Sequence, residues 1–244
     1  MPTRDLPRPD TKPIMDWAFI PALRYASLTR AYDVVVRMTT RERVFKRALI
    51  AQAGVAAGHR VLDVGCGTGT LAIWIKKDQP QADVRGVDGD PAILAIAVRK
   101  ANSSAAQVRF DRAMSHQLPY VDGEFDRVLT SLFFHLSPSA KRETAREIFR
   151  VLKPGGELHV ADWGKSANGL MRALFLIVQL LDGFRTTREN VAGHLPAIFG
   201  DAGFEDGGER RRFSTVLGTL ALYAARKPAF VPHGHSKERS HEHA

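Results

Sequence analysis

A glycine loop is the first feature of this chain that could do chemistry. Three glycines alternate with other residues in Gly65-Cys66-Gly67-Thr68-Gly69, directly after the strand-like segment 60–64. Glycine is needed where a backbone turns tightly and a ligand approaches too closely for a Cβ atom. The loop could equally be a flexible turn between a strand and a helix, so a glycine loop alone indicates binding only weakly.

The residue just before the loop indicates which ligand fits. Asp63 stands two positions ahead of Gly65, where its carboxylate would repel a bound pyrophosphate. The glycine spacing is also G-x-G-x-G, not the G-x-G-x-x-G of dinucleotide sites. An ammonium and a sulfonium would be attracted to the same carboxylate. The sign of the charge therefore favours S-adenosyl-L-methionine as the cofactor over a nicotinamide dinucleotide.

A second acid, Asp88, lies 25 positions after Asp63, at the end of the next predicted strand. An acid at this place can accept hydrogen bonds from two ribose hydroxyls. It could also cap the following helix, but Asp90, directly before Pro91, is better placed to do so. We therefore expect Asp88 and the adjacent Gly89 to bind ribose.

Three blocks in a fixed order connect the chain to a known family. They are 61–70, 118–129 and 151–162, and the similarity runs from about residue 32 to residue 161. Together they resemble the class I S-adenosylmethionine-dependent methyltransferases, most closely the ubiquinone/menaquinone-biosynthesis C-methyltransferase-like (methyltransferase type 11) group. The resemblance implies methyl transfer to a C, O or N atom of a small molecule, with S-adenosyl-L-homocysteine as the other product. It does not identify the acceptor.

The resemblance also implies where the cofactor binds. The glycine loop would hold its methionine end, Asp88 its ribose, and residues before Leu118-Pro119 its adenine. Tyr32 resembles a tyrosine that covers the cofactor in family members, and it equally fits one face of an amphipathic helix. No metal ligands are predicted. The predicted cofactor-binding residues are Tyr32, Asp63, Gly65, Cys66, Gly67, Asp88, Gly89, Met114, Ser115 and Ser131.

The adenine position departs from the family pattern. Family members usually carry an acid five residues ahead of the proline, where this chain has Met114. A methionine can pack on the adenine ring but cannot replace the acid as the acceptor for the exocyclic amine. A backbone group near Ser115, or the carboxylate of Asp111, could take that role.

The methyl acceptor is expected beyond the carboxyl ends of the strands, as in other open α/β sheets. His135, after the fourth predicted strand, is the best candidate for a general base. A histidine next to phenylalanines can also be a packed or capping residue. Asp162, after the fifth strand, is expected to support the end of the sheet. An apolar helix over 170–181 could cover a lipophilic acceptor, or could complete the core or a dimer contact.

Short apolar runs alternate with longer helical ones, which is typical of parallel α/β folds. We predict a Rossmann-like, mostly parallel seven-stranded sheet with helices on both faces and a C-terminal antiparallel hairpin. The predicted strands are 60–64, 83–88, 107–110, 125–131, 156–162, 204–213 and 215–226. Helices are predicted over 17–37, 41–53, 170–181 and 187–202, and after Thr70, Asp90 and Ser137.

Length and composition fit one domain. The chain has 244 residues, of which 44% are hydrophobic, so a single methyltransferase domain over 16–228 can bury a core. We expect 1–15 to be a flexible arm, 16–55 a helical cover, 168–186 a variable helical segment and 229–244 a disordered histidine-rich tail. The oligomeric state stays open.

Charge and cysteine content narrow the cellular context. A lone cysteine provides no disulfide framework. The prolines and charges near the N-terminus are unlike a signal peptide, and no apolar run is long enough for a membrane span, so we expect a cytoplasmic protein. The net charge of +9 could indicate a polyanion partner. The basic residues are scattered and show no RNA-stacking module, so we expect no nucleic acid partner.

Three other functions fit the same residues. The chain could be a cofactor-binding module without catalysis, which would bind the cofactor without transferring its methyl group. It could be a nicotinamide dehydrogenase on a similar fold, which would bind NAD. It could be an RNA methyltransferase, whose RNA affinity would depend steeply on salt.

Overall fold

The computed structural model describes residues 42–166, 169–182 and 184–229. The strands in this part of the chain are β1 Arg60–Val64, β2 Asp83–Asp88, β3 Arg109–Arg112, β4 Phe125–Ser131, β5 Leu152–Trp163, β6 Glu205–Thr215 and β7 Gly218–Arg226. The helices are α1 Glu42–Ala53, α2 Thr70–Asp78, α3 Pro91–Ser103, α4 Pro138–Val151, α5 Gly169–Asp182, α6 Phe184–Ala192 and α7 Leu195–Asp201. The predictions for the arm over 1–15, the helix over 17–37 and the tail after 229 lie outside the described residues.

The strands form one sheet with the order β3-β2-β1-β4-β5-β7-β6. β1 runs parallel to its two neighbours, β2 and β4. β3 is parallel to β2, and β5 is parallel to β4. β7 is antiparallel to both β5 and β6. The predicted seven-stranded, mostly parallel sheet with a C-terminal hairpin is therefore confirmed.

Two apolar layers cover the two faces of the sheet. Leu62 and Val64 of β1 point into one layer and Val61 points into the other. The first layer contains residues of α4 and α7, and the second contains residues of α1 and α2. Because both faces are covered, β1 is buried at successive positions, as is typical of parallel sheets.

Two helices begin where their capping residues predict. The Asp90 carboxylate accepts hydrogen bonds from the N–H groups of Ala92 and Ile93, at 2.8 Å and 3.4 Å. The Ser137 hydroxyl accepts one from the Ala140 N–H at 3.4 Å. In both helices proline follows the cap, where its missing N–H costs nothing. Asp90 therefore caps α3, and Asp88 is not needed for that purpose.

Several predicted boundaries were wrong. β3 lies two residues later than the predicted 107–110, because Arg109 to Arg112 pair with β2. β5 begins at Leu152 and not at the predicted residue 156, because Leu152 pairs with Phe125 of β4. The predicted helix over 187–202 is two helices, α6 and α7, which are separated at Gly193 with a φ of 78°.

A buried lysine satisfies the end of α4. The Lys227 ammonium donates to the carbonyls of Phe149 and Leu152, both at 2.7 Å, and to that of Arg150 at 3.4 Å. The last carbonyls of a helix have no partner within the helix. Lys227, just after β7, therefore joins the C-terminal hairpin of the sheet to the helix that precedes β5.

Replacing Lys227 with methionine should lower the free energy of unfolding by about 2 kcal/mol, because buried carbonyls lose a charged donor while the side-chain length is kept. Urea unfolding followed by circular dichroism measures the change. Lys153→Met is the matched control: its ammonium pairs with Asp126 while 41% exposed, and its loss should stay below about 1 kcal/mol. Equal losses in the two variants would contradict the capping role.

Candidate functional site

The carboxyl ends of β1, β2 and β4 meet at one edge of the sheet. β1 lies between the other two strands, and Asp63 is paired with Gly86 on one side and with Leu129 on the other. The chain order reverses here, and ligands of open α/β sheets bind in the crevice that such a reversal creates. The glycine loop that joins β1 to α2 lies at this edge.

The neighbouring strand fixes the glycine loop. The N–H groups of Gly65 and Cys66 both donate to the Val87 carbonyl of β2, at 2.9 Å and 3.0 Å. Gly65 and Gly67 have φ values of 65° and 53°, in the left-handed region that favours glycine. A Cβ atom on Gly67 would meet nothing within 4 Å, whereas one on Gly65 would lie 2.1 Å from the Phe133 ring. Gly67 therefore borders open space, and Gly65 lies against the segment that follows β4.

Asp88 holds the same loop from the tip of β2. Its Oδ2 accepts from the Gly67 N–H and its Oδ1 from the Asp90 N–H, both at 3.0 Å. Desolvation is the largest effect on the Asp88 carboxyl and raises its pKa, while these N–H groups and that of Gly89 oppose the rise. A carboxylate has about four lone-pair sites, so Asp88 retains capacity for further donors such as hydroxyl groups.

Asp63 is buried at the end of β1, with 1% of its surface exposed. Its Oδ2 accepts from the Ala72 N–H of α2 at 3.2 Å. Its Oδ1 is buried without a hydrogen-bond partner among the described residues. Desolvation raises the pKa of Asp63 to about 7, and the positive charge of Lys46 on α1 counteracts part of the rise. A cation bound nearby would favour the carboxylate form.

Cys66 directs its side chain into the protein. The residue is buried, and its Sγ lies 3.0 Å from where a Cβ on Gly86 would be. Burial raises the pKa of the Cys66 thiol, and the neighbouring carboxylate of Asp63 raises it further. The thiol is therefore a poor nucleophile, and Cys66 can border a ligand only through its backbone.

The residues predicted to flank adenine lie after β3. Met114 is 38% exposed. The Ser115 hydroxyl is 2.8 Å from the Thr144 hydroxyl of α4, and the Asp111 carboxylate accepts from the Tyr120 hydroxyl at 3.1 Å. Asp111 and the Ser115 side chain therefore already have partners within the protein. The Met114 side chain and the backbone around Ser115 are the groups best placed to meet a base.

β4 ends in a strained turn. Its last residue, Ser131, pairs with Ala161 of β5, and the following Leu132 has a φ of 53°. This conformation costs a residue with a side chain roughly 1–3 kcal/mol, so the surroundings must hold it. The turn places the Phe133 ring against Gly65. His135 follows, and its Nδ1 is buried without a hydrogen-bond partner among the described residues.

The buried carboxylate of Asp162 holds this turn. Its Oδ2 accepts from the N–H groups of Phe133 and Phe134, at 2.9 Å and 2.7 Å. Its Oδ1 accepts from the Trp163 N–H at 2.7 Å and from the Asn190 side-chain amide of α6 at 3.0 Å. Asp162 was predicted to support the sheet end, but no sequence signal pointed to Asn190. Phe133 was not predicted as a neighbour of the glycine loop either; it lies there because it follows β4, which pairs with β1.

An apolar cluster lies beyond the carboxyl ends of β4 and β5. Trp163 and Phe175 are buried with ring centroids 5.1 Å apart, and Leu132, Val191 and Leu217 pack against them. Phe175 belongs to α5, the helix that was predicted over 170–181. Aromatic and aliphatic side chains therefore pack together next to the carboxyl ends of β4 and β5.

The observed residues fit S-adenosyl-L-methionine. Gly67 borders open space at the loop, Asp63 has a buried oxygen that lacks a partner, and Asp88 retains acceptor capacity one strand away. At Gly67 a ligand can approach the backbone closely, and the unpartnered oxygen of Asp63 can face a positive charge. Asp88 can accept hydrogen bonds from the two hydroxyl groups of a ribose. A pyrophosphate would instead bring negative charge close to both acids. Tyr32, also predicted to contact the cofactor, lies outside the described residues.

The described part of the chain offers neither a clustered metal centre nor a helix that could span a membrane. It contains no group of three or more histidine, cysteine or acidic side chains arranged to hold a metal ion. None of its helices has both the length and the apolar character needed to cross a bilayer.

Comparisons with known proteins agree with this geometry. Residues 61–156 match a family described as "Methyltransferase domain". The chain is 35% identical to a demethylmenaquinone methyltransferase of Deinococcus radiodurans over 62% of this chain and 63% of the relative, so the match spans slightly less than two thirds of that protein. It is 30% identical to the ubiquinone/menaquinone biosynthesis C-methyltransferase UbiE of Ectopseudomonas mendocina over 84% of this chain and 87% of the relative.

Solved structures share the fold. An S-adenosylmethionine-dependent methyltransferase of Methanosarcina mazei superposes with a TM-score of 0.61 at 21% identity, over 73% of this chain and 97% of the other. At this identity the likeness establishes the architecture and leaves the acceptor open.

Replacing Asp88 with alanine should weaken the binding of S-adenosyl-L-homocysteine by about one to two decades, because hydrogen bonds to a charged acceptor are lost. Isothermal titration calorimetry measures the affinity. Asp83→Ala, at the other end of β2 and with a side chain 50% exposed, is the matched control and should leave the affinity unchanged. An unchanged affinity in Asp88→Ala would rule out the ribose assignment.

The affinity for S-adenosyl-L-homocysteine should also depend on pH through Asp63. Below its folded pKa of about 7, the carboxyl is protonated in the free protein, and a bound ammonium must displace that proton. The affinity should therefore be roughly five- to tenfold weaker at pH 6 than at pH 7.5.

Asp63→Asn provides the control for this pH dependence. The amide oxygen can still accept from the Ala72 N–H but does not titrate, so the dependence between pH 6 and pH 7.5 should vanish. The variant should also raise the stability of the ligand-free protein at neutral pH. Because the pKa of Asp63 is raised from 3.8 in the unfolded chain to about 7 in the folded protein, the free energy of unfolding falls as the pH rises between these two values. Asparagine does not titrate and avoids this loss. A pH dependence that persists in Asp63→Asn would assign it to another group.

Proposed function

The chain belongs to the class I S-adenosylmethionine-dependent methyltransferases of the ubiquinone/menaquinone-biosynthesis C-methyltransferase-like group, and from this premise we propose that it methylates a ring carbon of an isoprenoid quinone precursor. Methyl transfer from S-adenosyl-L-methionine to a small molecule follows from the family itself. The proposal concerns the acceptor and the atom that receives the methyl group.

The observation that carries the proposal is the apolar cluster next to the carboxyl ends of β4 and β5. Trp163 and Phe175 are buried at its centre, and the half-buried Leu132 and Val191 pack at its margin. An aromatic ring with a hydrocarbon chain would gain free energy by leaving water for contact with the aliphatic side chains at that margin. The relatives named above are quinone-biosynthesis methyltransferases, which supports the same class of acceptor.

His135 is proposed as the general base. Methylation of a ring carbon forms a carbon–carbon bond and breaks the carbon–sulfur bond of the cofactor, and the ring or its hydroxyl must give up a proton. His135 lies in the segment between β4 and α4, and its Nδ1 has no hydrogen-bond partner among the described residues. An imidazole nitrogen without a hydrogen-bond partner offers a lone pair that can accept that proton.

The other site residues would bind and orient the reactants. The bound cofactor supplies a methyl group on a positively charged sulfur. The loop at Gly65 and Gly67 would hold the methionine end, Asp63 would balance the positive charge, and Asp88 would hold the ribose. In-line displacement depends mainly on such positioning. Ser131, Gly89, Met114, Ser115 and the backbone of Cys66 complete the proposed cofactor site, together with Tyr32.

The test supplies cofactor with a deuterated methyl group and a set of acceptors. We expect a reduced, prenylated naphthoquinone that lacks the ring methyl group to gain one trideuteromethyl group on carbon, as detected by mass spectrometry and fragmentation. A catechol and a primary amine serve as comparison acceptors for O- and N-methylation. Transfer to either of these with none to the quinol would refute the proposed acceptor class.

Replacing His135 with glutamine should lower kcat for the quinol by roughly a hundredfold or more, because a positioned base contributes about 10²–10⁴. The affinity for S-adenosyl-L-homocysteine should stay within twofold of the unmodified protein. The matched control is His59→Gln: His59 precedes β1 at the opposite end of the sheet, and this variant should keep full activity. An unaltered kcat in His135→Gln would leave His135 with a packing role only.

A further inference from the structure

Asp162 is a carboxylate with every acceptor site used. It is completely buried, and it accepts four N–H groups at 2.7–3.0 Å. A carboxylate offers about four lone-pair sites, so none is left for a hydrogen bond from a ligand. An effect of Asp162 on binding is therefore expected to pass through the groups that it holds.

Two of these groups belong to the strained turn after β4. The N–H groups of Phe133 and Phe134 converge on the same oxygen of Asp162. The preceding Leu132 has a left-handed φ of 53°, and its own N–H donates to the Ala161 carbonyl at 2.8 Å. An unfavourable backbone conformation persists only where its neighbours enforce it. Asp162 and β5 enforce it here.

The turn fixes the position of the Phe133 ring relative to the glycine loop. The Phe133 ring occupies the space where a Cβ on Gly65 would lie, with its nearest carbon 2.1 Å from that point. Gly65 is the first glycine of the loop, and its N–H is bound to the Val87 carbonyl. The Phe133 ring thus contacts the loop from the side of β4, while β2 binds the loop through a hydrogen bond from the other side.

The fourth donor comes from the helical segment near the acceptor side. Asn190 of α6 is completely buried and donates through its side-chain amide to Oδ1 of Asp162. Because a carboxylate only accepts, this contact fixes which end of the amide faces Asp162. α6 is also tied to α4 by the buried Lys141, whose ammonium lies 3.3 Å from the Glu189 carboxylate. Asp162 therefore joins α6, β5 and the turn after β4.

We propose that Asp162 is a positioning residue that raises cofactor affinity by holding Phe133 against Gly65. Through its hydrogen bond to Asp162, Asn190 makes the position of Phe133 depend on α6. The inference rests on the cofactor site proposed above and not on the identity of the acceptor. It assigns a role in cofactor binding to Asp162 and Asn190, which are both completely buried.

A double-mutant cycle on cofactor affinity tests the proposal. Asp162→Asn keeps the shape but places an amide donor against other donors, so it should weaken the binding of S-adenosyl-L-homocysteine by roughly tenfold. Phe133→Ala should weaken it to a similar extent. The double variant should be no more than twofold weaker than Phe133→Ala, because Asp162 acts through Phe133. Effects that multiply in the double variant would overturn the proposal.

A second pair of variants, with a smaller perturbation, tests the proposal if Asp162→Asn does not fold. Asn190→Ala removes one of the four donors and should weaken the same binding by roughly threefold. That effect should disappear when Phe133 is also alanine. An Asn190→Ala effect of the same size in both backgrounds would overturn the coupling to α6.

The control separates positioning from loss of stability. Asp126 lies at the opposite end of β4, where its carboxylate also accepts a backbone N–H, that of Arg60, at 2.8 Å. Asp126→Asn should lower the unfolding temperature while leaving S-adenosyl-L-homocysteine affinity within twofold. A loss of affinity in Asp126→Asn that matches the loss in Asp162→Asn would reduce Asp162 to a structural residue.

Failure of the unmodified chain to bind S-adenosyl-L-homocysteine would refute the cofactor site and this inference together. Failure of the quinol assay alone would leave this inference standing.

Discussion

The Gly67 N–H donates a hydrogen bond to Asp88, and this contact joins the loop after β1 to the tip of β2. The Val87 carbonyl binds the two preceding N–H groups of the same loop. The glycine backbone is therefore held in its left-handed conformations by the neighbouring strand and does not need a ligand to order it. A loop that is ordered in advance loses less conformational entropy on binding. The rest of the cofactor site depends on this arrangement.

Electrostatics at Asp63 complement that geometry. A carboxylate removed from water without sufficient partners is unstable, and here desolvation raises its pKa to about 7. Its partner on α2, the Ala72 N–H, and the charge of Lys46 compensate only in part. The ligand-free protein thus carries an unsatisfied preference for positive charge at the end of β1. A cofactor with an ammonium and a sulfonium meets that preference, and a dinucleotide phosphate does not.

The placement of the residues proposed to bind the cofactor could be predicted from the sequence because their contacts are local. Asp63, the glycine loop and Asp88 fall within two consecutive strands and one turn, so residue spacing alone brings them together. The cap at Asp90 was predictable for the same reason, since its partners are the next few N–H groups. The strand boundaries of β3 and β5 were wrong for non-local reasons. β5 begins early because Leu152 pairs with a strand some twenty-five residues upstream.

The acceptor half depends on contacts that sequence spacing does not reveal. Asp162 was expected to support the sheet end, but its four donors come from three segments that are far apart in the chain. Leu132 adopts a left-handed backbone conformation although it is not a glycine, so the sequence does not indicate the turn. Because Phe133 lies against Gly65, a change in α6 that moves Asn190 can reach the cofactor loop through Asp162. A change in α6 must therefore preserve this buried carboxylate contact or replace it if the glycine loop is to keep its place, since Phe133 in the turn held by Asp162 lies against Gly65.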